Sequence, residues 1–166
     1  MIKIHPDYYI DTIYDVNFAV LKEGDIDTLL LDIDNTLVPF KTTIADNEVV
    51  NWIDSAKKEG FKLCMVSNAY PRRAQIISKN LEIPVVYMAK KPFKQGIINA
   101  LKLLDSNKKN TVMIGDQILT DVLAARFAGV KSILVEPLTK SDFIMTKIYR
   151  VIEFFLKKNL EKKEMK

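Results

Sequence analysis

Short apolar, β-rich runs recur along this chain with helix-like segments between them, and that alternation narrows the possible folds sharply. The runs are Thr28–Leu31, Phe61–Val66, Pro84–Tyr87, Thr111–Ile114 and Ser132–Val135. The segments between them, about Asp46–Glu59, Pro71–Leu81, Phe93–Leu104 and Leu119–Ala128, read as helices. Pro71 stands where helices commonly begin, and Gly60 and Gly129 where they commonly end. Trp52 falls on one apolar helical face with Val49, Ile53 and Ala56, which marks it as core. Several strand runs are apolar throughout, as expected when helices cover both sheet faces. The expected fold is therefore α/β: a Rossmann-like, doubly wound parallel sheet of about five strands with helices on both faces.

With 166 residues, the chain suits one domain spanning residues 1–166. No stretch approaches the ~20 apolar residues of a spanning helix. The N-terminus carries acids early and lacks an apolar signal-like run. Cys64, the only cysteine, lies in a strand-like run and reads as an inert core thiol. These features point to a cytoplasmic protein. A net charge of +4 is too mild to indicate nucleic-acid binding.

Active sites of doubly wound sheets lie at the carboxyl ends of the strands. Here those ends carry Asp32-Ile33-Asp34-Asn35-Thr36, then Ser67-Asn68, then Lys90-Lys91-Pro92, then Gly115-Asp116 followed by Asp121. Alternation along an extended segment lets Asp32 and Asp34 point into one site. Each group alone has an ordinary structural use. The acids serve in turns or helix starts, Ser67 and Asn68 are common turn residues, and Lys91 suits a surface. Their coincidence at four successive strand ends argues for one site. Two carboxylates about 4 Å apart repel by roughly 4 kcal/mol at an effective dielectric near 20. One lysine cannot hold several of them together with a phosphate. Oxygen ligands with open positions suit Mg²⁺, while Ser67 and Lys91 can hold the remaining phosphoryl oxygens.

In the same order, these four strings resemble the motifs of haloacid dehalogenase superfamily phosphatases, over about Leu29 to Asp121. The resemblance implies that Asp32 attacks phosphorus and forms an aspartyl-phosphate, and that Asp34 serves as acid and then base. It implies Mg²⁺ held by Asp32, Asp116 and the main-chain carbonyl of Asp34, with Asp121 behind them. It implies a phosphorylated substrate held by Ser67, Asn68 and Lys91. Asp27–Phe40, the form of the fourth motif and the leading Pro6–Leu21 segment look like the YqeG-type branch of subfamily IIIA. Some relatives of that branch dephosphorylate phosphatidylglycerophosphate, so the resemblance suggests a lipid phosphate. A soluble sugar or nucleotide phosphate is the alternative.

Other functions fit less well. A dinucleotide-binding dehydrogenase needs a Gly-rich first turn, which the sequence after Leu31 lacks, and no P-loop is present. A phospho-receiver domain has its acceptor acid on the third strand, and Pro84–Tyr87 ends without one. A binding module that kept the site without turnover remains open. Only 35 positions separate Asp32 from Ser67, and 24 separate Ser67 from Lys91. A cap domain of ~50 or more residues does not fit either interval, so an open site is expected.

Two readings remain for Ser141–Lys166. Ile144, Ile148, Val151, Ile152 and Phe155 recur at helical spacing, which suits a helix packed on the sheet. The tail Lys157–Lys166 holds five lysines against two glutamates, which suits peripheral contact with an anionic membrane surface.

Overall fold

A computed structural model of the chain describes residues 4–139, 151–152, 154–158 and 160–166. Strands β1 (Tyr8–Tyr9), β2 (Thr28–Leu31), β3 (Lys62–Val66), β4 (Val85–Val86), β5 (Thr111–Gly115) and β6 (Lys131–Leu134) form one sheet. Helices α1 (Phe18–Glu23), α2 (Asn47–Lys58), α3 (Pro71–Leu81), α4 (Gln95–Leu103) and α5 (Leu123–Ala128) alternate with them. The sheet order is β1-β6-β5-β2-β3-β4, and every neighbouring pair is parallel. From β2 the chain builds outward through β3 and β4 on one side, then through β5 and β6 on the other. The reversal places a crevice at the carboxyl ends of β2 and β5. Leu31 stands opposite both Met65 and Ile114, so β2, β3 and β5 end at one level.

Alternation along the strands builds a core on each face of the sheet. Leu29, Leu31, Leu63, Met65, Val112 and Ile114 join Trp52 and Ile53 of α2 and Ile77 of α3. Leu30, Cys64, Val66 and Met113 join Ile97 and Ala100 of α4 and Ala125 of α5. Cys64 is buried, and burial pushes its thiol up to about 12, which fits an inert core group.

Local chemistry accounts for the helix ends. Asp46 caps α2 by accepting from the Val49 amide at 2.9 Å, and Gly60 follows the helix at φ +88. Pro71 opens α3, and Gly129 ends α5 at φ +76. Three differences from the sequence expectation stand out. A sixth strand, β1, joins the edge of β6, although two residues are too few for an alternation signal. Helix α4 starts at Gln95 instead of near Phe93, whose ring is exposed. A π-helical turn, Ile118–Val122, precedes α5 where one continuous helix is expected.

The C-terminus also departs from a helix lying on the sheet with a solvated tail. Ile144 and Ile148 lie outside the described residues. Val151, Ile152 and Phe155 are exposed instead of packed, and so is Phe154. Leu156 and Leu160 pack against Tyr9, Ile118, Val122 and Leu134. The tail then pairs with β1: the Lys163 amide donates to the Tyr9 carbonyl at 3.1 Å, and Met165 enters the main core at 7% exposure. Lys162 pairs with Asp11. Burying a methionine side chain contributes about 1.5–3 kcal/mol. A chain ending at Leu156 should therefore melt about 5 °C or more below the full chain in scanning calorimetry. An unchanged melting temperature would show that the tail does not hold the sheet edge.

Candidate active site

Asp32 leaves β2 with its amide donating to the Ile114 carbonyl at 2.9 Å, which extends the pairing with β5. The chain then turns at Asn35, in the left-handed region at φ +59, a conformation asparagine tolerates better than most residues. The Asn35 amide donates to the Val38 carbonyl at 2.8 Å, and its side-chain oxygen accepts from Thr139 Oγ1 at 2.7 Å. The turn follows both leading acids, which meet different surroundings. Asp32 is buried within the crevice, whereas Asp34 is half-buried and faces Arg73.

Buried carboxylates converge beneath the crevice. Single oxygens of Asp32, Asp116 and Asp121 all lie within 4.8 Å of one another. Asp116 follows β5 directly, and Asp121 comes from the π-helical turn. Asp121 Oδ2 accepts from the Gln117 amide at 3.1 Å. A side chain on Gly115 would stand 2.3 Å from Asp121 Cγ, so the Gly115-Asp116 string needs its glycine for close packing.

The Lys91 ammonium sits among these acids. Its Nζ donates to Asp32 Oδ1 at 2.6 Å and to Asp121 Oδ1 at 2.5 Å, and its side chain is 2% exposed. Asn68 holds it there through the main chain. Lys91 N donates to Asn68 Oδ1 at 2.8 Å, and Asn68 Nδ2 donates to the Lys91 carbonyl at 3.2 Å. Asn68, for which the resemblance implies a substrate contact, spans the Lys91 backbone with its amide. Ser67 is buried beside it, with Oγ accepting from the Ala69 amide at 3.1 Å. The hydroxyl proton of Ser67 is left for another acceptor.

Burial and the neighbouring carboxylates set the charges. Burial pushes the Asp32 carboxyl up to about 7; Lys91 opposes the shift, and Asp121 and Asp34 add to it. Burial works against the Lys91 charge, but Asp121 and Asp32 outweigh it and hold the ammonium above the ordinary lysine range. The Lys91 ammonium thus meets two of the three clustered buried acids. Clustered hard oxygen donors of this kind fit Mg²⁺. The Asp34 carboxylate lies apart from the three clustered acids in its contacts, in keeping with a main-chain role for that residue at a metal. Arg73, two residues into α3, belongs to the Arg72-Arg73 pair after Ser67, which in the sequence reads as a solvated helix start or a contact for a bulky anionic substrate.

A family model described as HAD-hydrolase-like matches residues 88–137, the stretch that carries Lys91, Asp116 and Asp121. Among solved structures, the fold matches 3-deoxy-D-manno-octulosonate 8-phosphate phosphatase from Moraxella catarrhalis, in complex with magnesium ion, phosphate ion and KDO. That match has a TM-score of 0.52 at 17% identity and covers 84% of this chain and 91% of the other. CbbY from Rhodobacter sphaeroides, in complex with phosphate, matches with a TM-score of 0.54 at 14% identity, over 71% of this chain and 90% of that one. The sheet and its matches define a haloacid dehalogenase-type fold. The chain is also 35% identical over 148 residues to "Probable phosphatase YqeG" of Bacillus subtilis (strain 168), covering 89% of this chain and 86% of the relative. It belongs to the YqeG-type family of haloacid dehalogenase superfamily phosphatases.

The raised Asp32 has a consequence for stability. Between about pH 4, the ordinary aspartate range, and about pH 7, the folded chain holds a proton that the unfolded chain has released. This contribution to stability therefore falls as pH rises through that window. In chelator at pH 8, Asp32→Asn should melt about 3 °C or more above wild type, with the gap narrowing toward pH 5. A variant no more stable than wild type at pH 8 would contradict the cost of burying the ionised Asp32 carboxyl.

Proposed function

We propose that this chain hydrolyses phosphate monoesters through an aspartyl-phosphate on Asp32. What supports the reading above all is the Lys91 ammonium held between Asp32 and Asp121 at the strand ends, with Asp34 on the open side. Lys91 and the Ser67 hydroxyl hold non-bridging oxygens of the phosphoryl group. An Asp32 oxygen attacks phosphorus, and the bond from phosphorus to the leaving oxygen breaks. Asp34 gives its proton to that oxygen. Water then attacks phosphorus, Asp34 takes a proton from it, and the bond to Asp32 breaks, releasing phosphate and restoring the carboxylate. Mg²⁺ held by Asp32, Asp116 and the Asp34 carbonyl, with Asp121 behind them, would draw charge from the phosphoryl oxygens and offset the acid cluster. Asn68 acts by holding Lys91 in place.

On substrate, the reading favours a lipid-borne phosphate. The interval from Asp32 to Ser67 holds α2 and β3 and no inserted domain, so the crevice is uncapped on that side. Phe154 and Phe155 are 66% and 63% exposed. The neighbouring Leu156 packs on residues at the carboxyl ends of β1 and β6 and on the turn after β5, the sheet edge that carries the site. Such rings suit insertion at a membrane interface, with Lys158 attracted to anionic headgroups. Lys157, Lys162 and Lys163 contact Glu136, Asp11 and the Tyr8 ring, so apolar contact takes over much of what the charged tail alone was expected to supply. Among the described residues no helix is long and apolar enough to cross a membrane. A soluble sugar or nucleotide phosphate is the competing substrate class.

Two measurements test these assignments. With an aryl phosphate and Mg²⁺, Asp32→Asn should lose at least about 10³-fold in kcat with unchanged circular dichroism, and chelator should abolish wild-type turnover. Persisting hydrolysis in either case would sink the mechanism. In sedimentation with anionic vesicles at low salt, wild type should bind and the double variant Phe154→Ser/Phe155→Ser should lose most of that binding. If wild type ignores the vesicles, the membrane contact falls while the hydrolase reading stands.

A further inference from the structure

The turn that carries Asp34 is gripped by a stretch of chain that the hydrolysis above does not use. Asn35 is 4% exposed and sits in the left-handed region at φ +59. Part of the turn closes on itself: the Asn35 amide donates to the Val38 carbonyl at 2.8 Å, and the Leu37 and Val38 amides donate to the Ile33 carbonyl at 3.1 Å. Both acceptors of Asn35 are met from beyond β6. Its carbonyl accepts from the Leu138 amide at 3.0 Å, and its Oδ1 accepts from Thr139 Oγ1 at 2.7 Å. Thr139 lies 104 positions from Asn35, so local chain order does not account for the contact.

The gripping stretch is itself pinned. The Val135 amide donates to the Gly115 carbonyl and the Glu136 amide to the Asp11 carbonyl, each at 3.0 Å. One oxygen of the Glu136 carboxylate accepts from the Tyr9 hydroxyl, and the other accepts from Lys157 Nζ at 3.4 Å. Residues 135–139 thus run from a fixed point at the sheet edge to the Asp34 turn. A residue other than glycine at positive φ persists where its surroundings over-determine it, and here they do. A contact that only tied down the end of the chain could fall on any stretch of surface. This one falls on the residue that shares a peptide unit with the Asp34 carbonyl. The N–H and C=O of a planar trans unit point opposite ways, so fixing Asn35 fixes the direction of that carbonyl.

We propose that Leu138 and Thr139 form a latch on Asn35 that positions the Asp34 carbonyl for Mg²⁺, with Glu136 anchoring the latch to β1 and the C-terminal tail. The inference rests on the main-chain role of Asp34 at the metal in the hydrolase reading. Leu138 acts through its amide. Thr139 acts through its hydroxyl, and it is a positioning residue: it touches neither the clustered carboxylates nor the phosphoryl site, and its effect passes through Asn35. The end of the chain thereby governs how well the first strand end holds its metal, although the residues between them are remote in sequence.

The test is calorimetric titration of Mg²⁺ into the full chain at fixed ionic strength, with no substrate present. Thr139→Val replaces the hydroxyl by a methyl of similar size and should weaken Mg²⁺ binding about tenfold or more, the lower end of what contacts supporting a metal ligand supply. Thr139→Ser keeps the donor and should bind within about twofold of wild type. Asn35→Gly keeps the left-handed turn while removing the acceptor, and should lose as much as Thr139→Val. The double variant should lose no more than either single one, as expected when both remove the same contact. In turnover of an aryl phosphate, excess Mg²⁺ should recover most of the Thr139→Val loss, with KM for the ester unchanged. Wild-type Mg²⁺ affinity in Thr139→Val overturns the latch, even where that variant melts lower in chelator, because the contact is then structural alone. Additive losses in the double variant also overturn it. If wild type itself binds no Mg²⁺, the latch and the metal reading fall together, whereas binding by wild type with no effect of Thr139→Val removes the latch and leaves the hydrolase reading standing.

Discussion

The Lys91 ammonium lies between two buried carboxylates, and the surrounding strand ends are arranged about that contact. Withdrawing ions of this size from water costs several kcal/mol each, and attraction repays it only where geometry is good and remaining lone pairs are met. Here Asp121 gains a second bond from the Gln117 amide, and Lys91 is fixed through its own backbone by Asn68. The closeness of Asp121 to Gly115 leaves no room for a side chain there. One electrostatic contact thus ties together the ends of β2, β3 and β5 and the loop after β4.

The same contact only partly offsets the burial of Asp32. The Asp32 carboxyl is raised chiefly by burial, with Lys91 opposing the shift and Asp121 adding to it. A further cation among these oxygens would favour the ionised Asp32 carboxylate. Asp34 stands outside the cluster with its own cation, Arg73, and so escapes the strongest part of the repulsion. Two carboxylates two residues apart thus meet different surroundings.

Access to the crevice is shaped by elements far apart in sequence. Helix α3 begins immediately after Ser67-Asn68 and supplies Arg73 and, through its N-cap, Tyr70 to one wall. On the other side of the sheet, the C-terminal residues close onto Tyr9 and the turn after Asp116, leaving Phe154 and Phe155 outward. No inserted domain lies between Asp32 and Ser67, so these flanks border the crevice.

Strand and helix order, the doubly wound class, and Asp32, Asp34, Ser67, Lys91, Asp116 and Asp121 as a group were legible in the sequence. Runs such as Thr28–Leu31 carry their own periodicity, and a parallel sheet brings its carboxyl ends to one edge whatever the loops do. β1 was not legible, because two residues carry no alternation and its partner β6 lies more than a hundred positions away. Nor was the exposure of Phe154 and Phe155, since helical spacing marks an apolar face without saying what covers it. The division of the acids was decided by tertiary structure alone. Alternation placed Asp32 and Asp34 together, but in the fold one meets Lys91 and the other Arg73. Sequence determined which charges the strand ends carry, because that depends on local order. Which charges meet depends on contacts spanning 30 to 59 positions, and only the folded sheet brings those together.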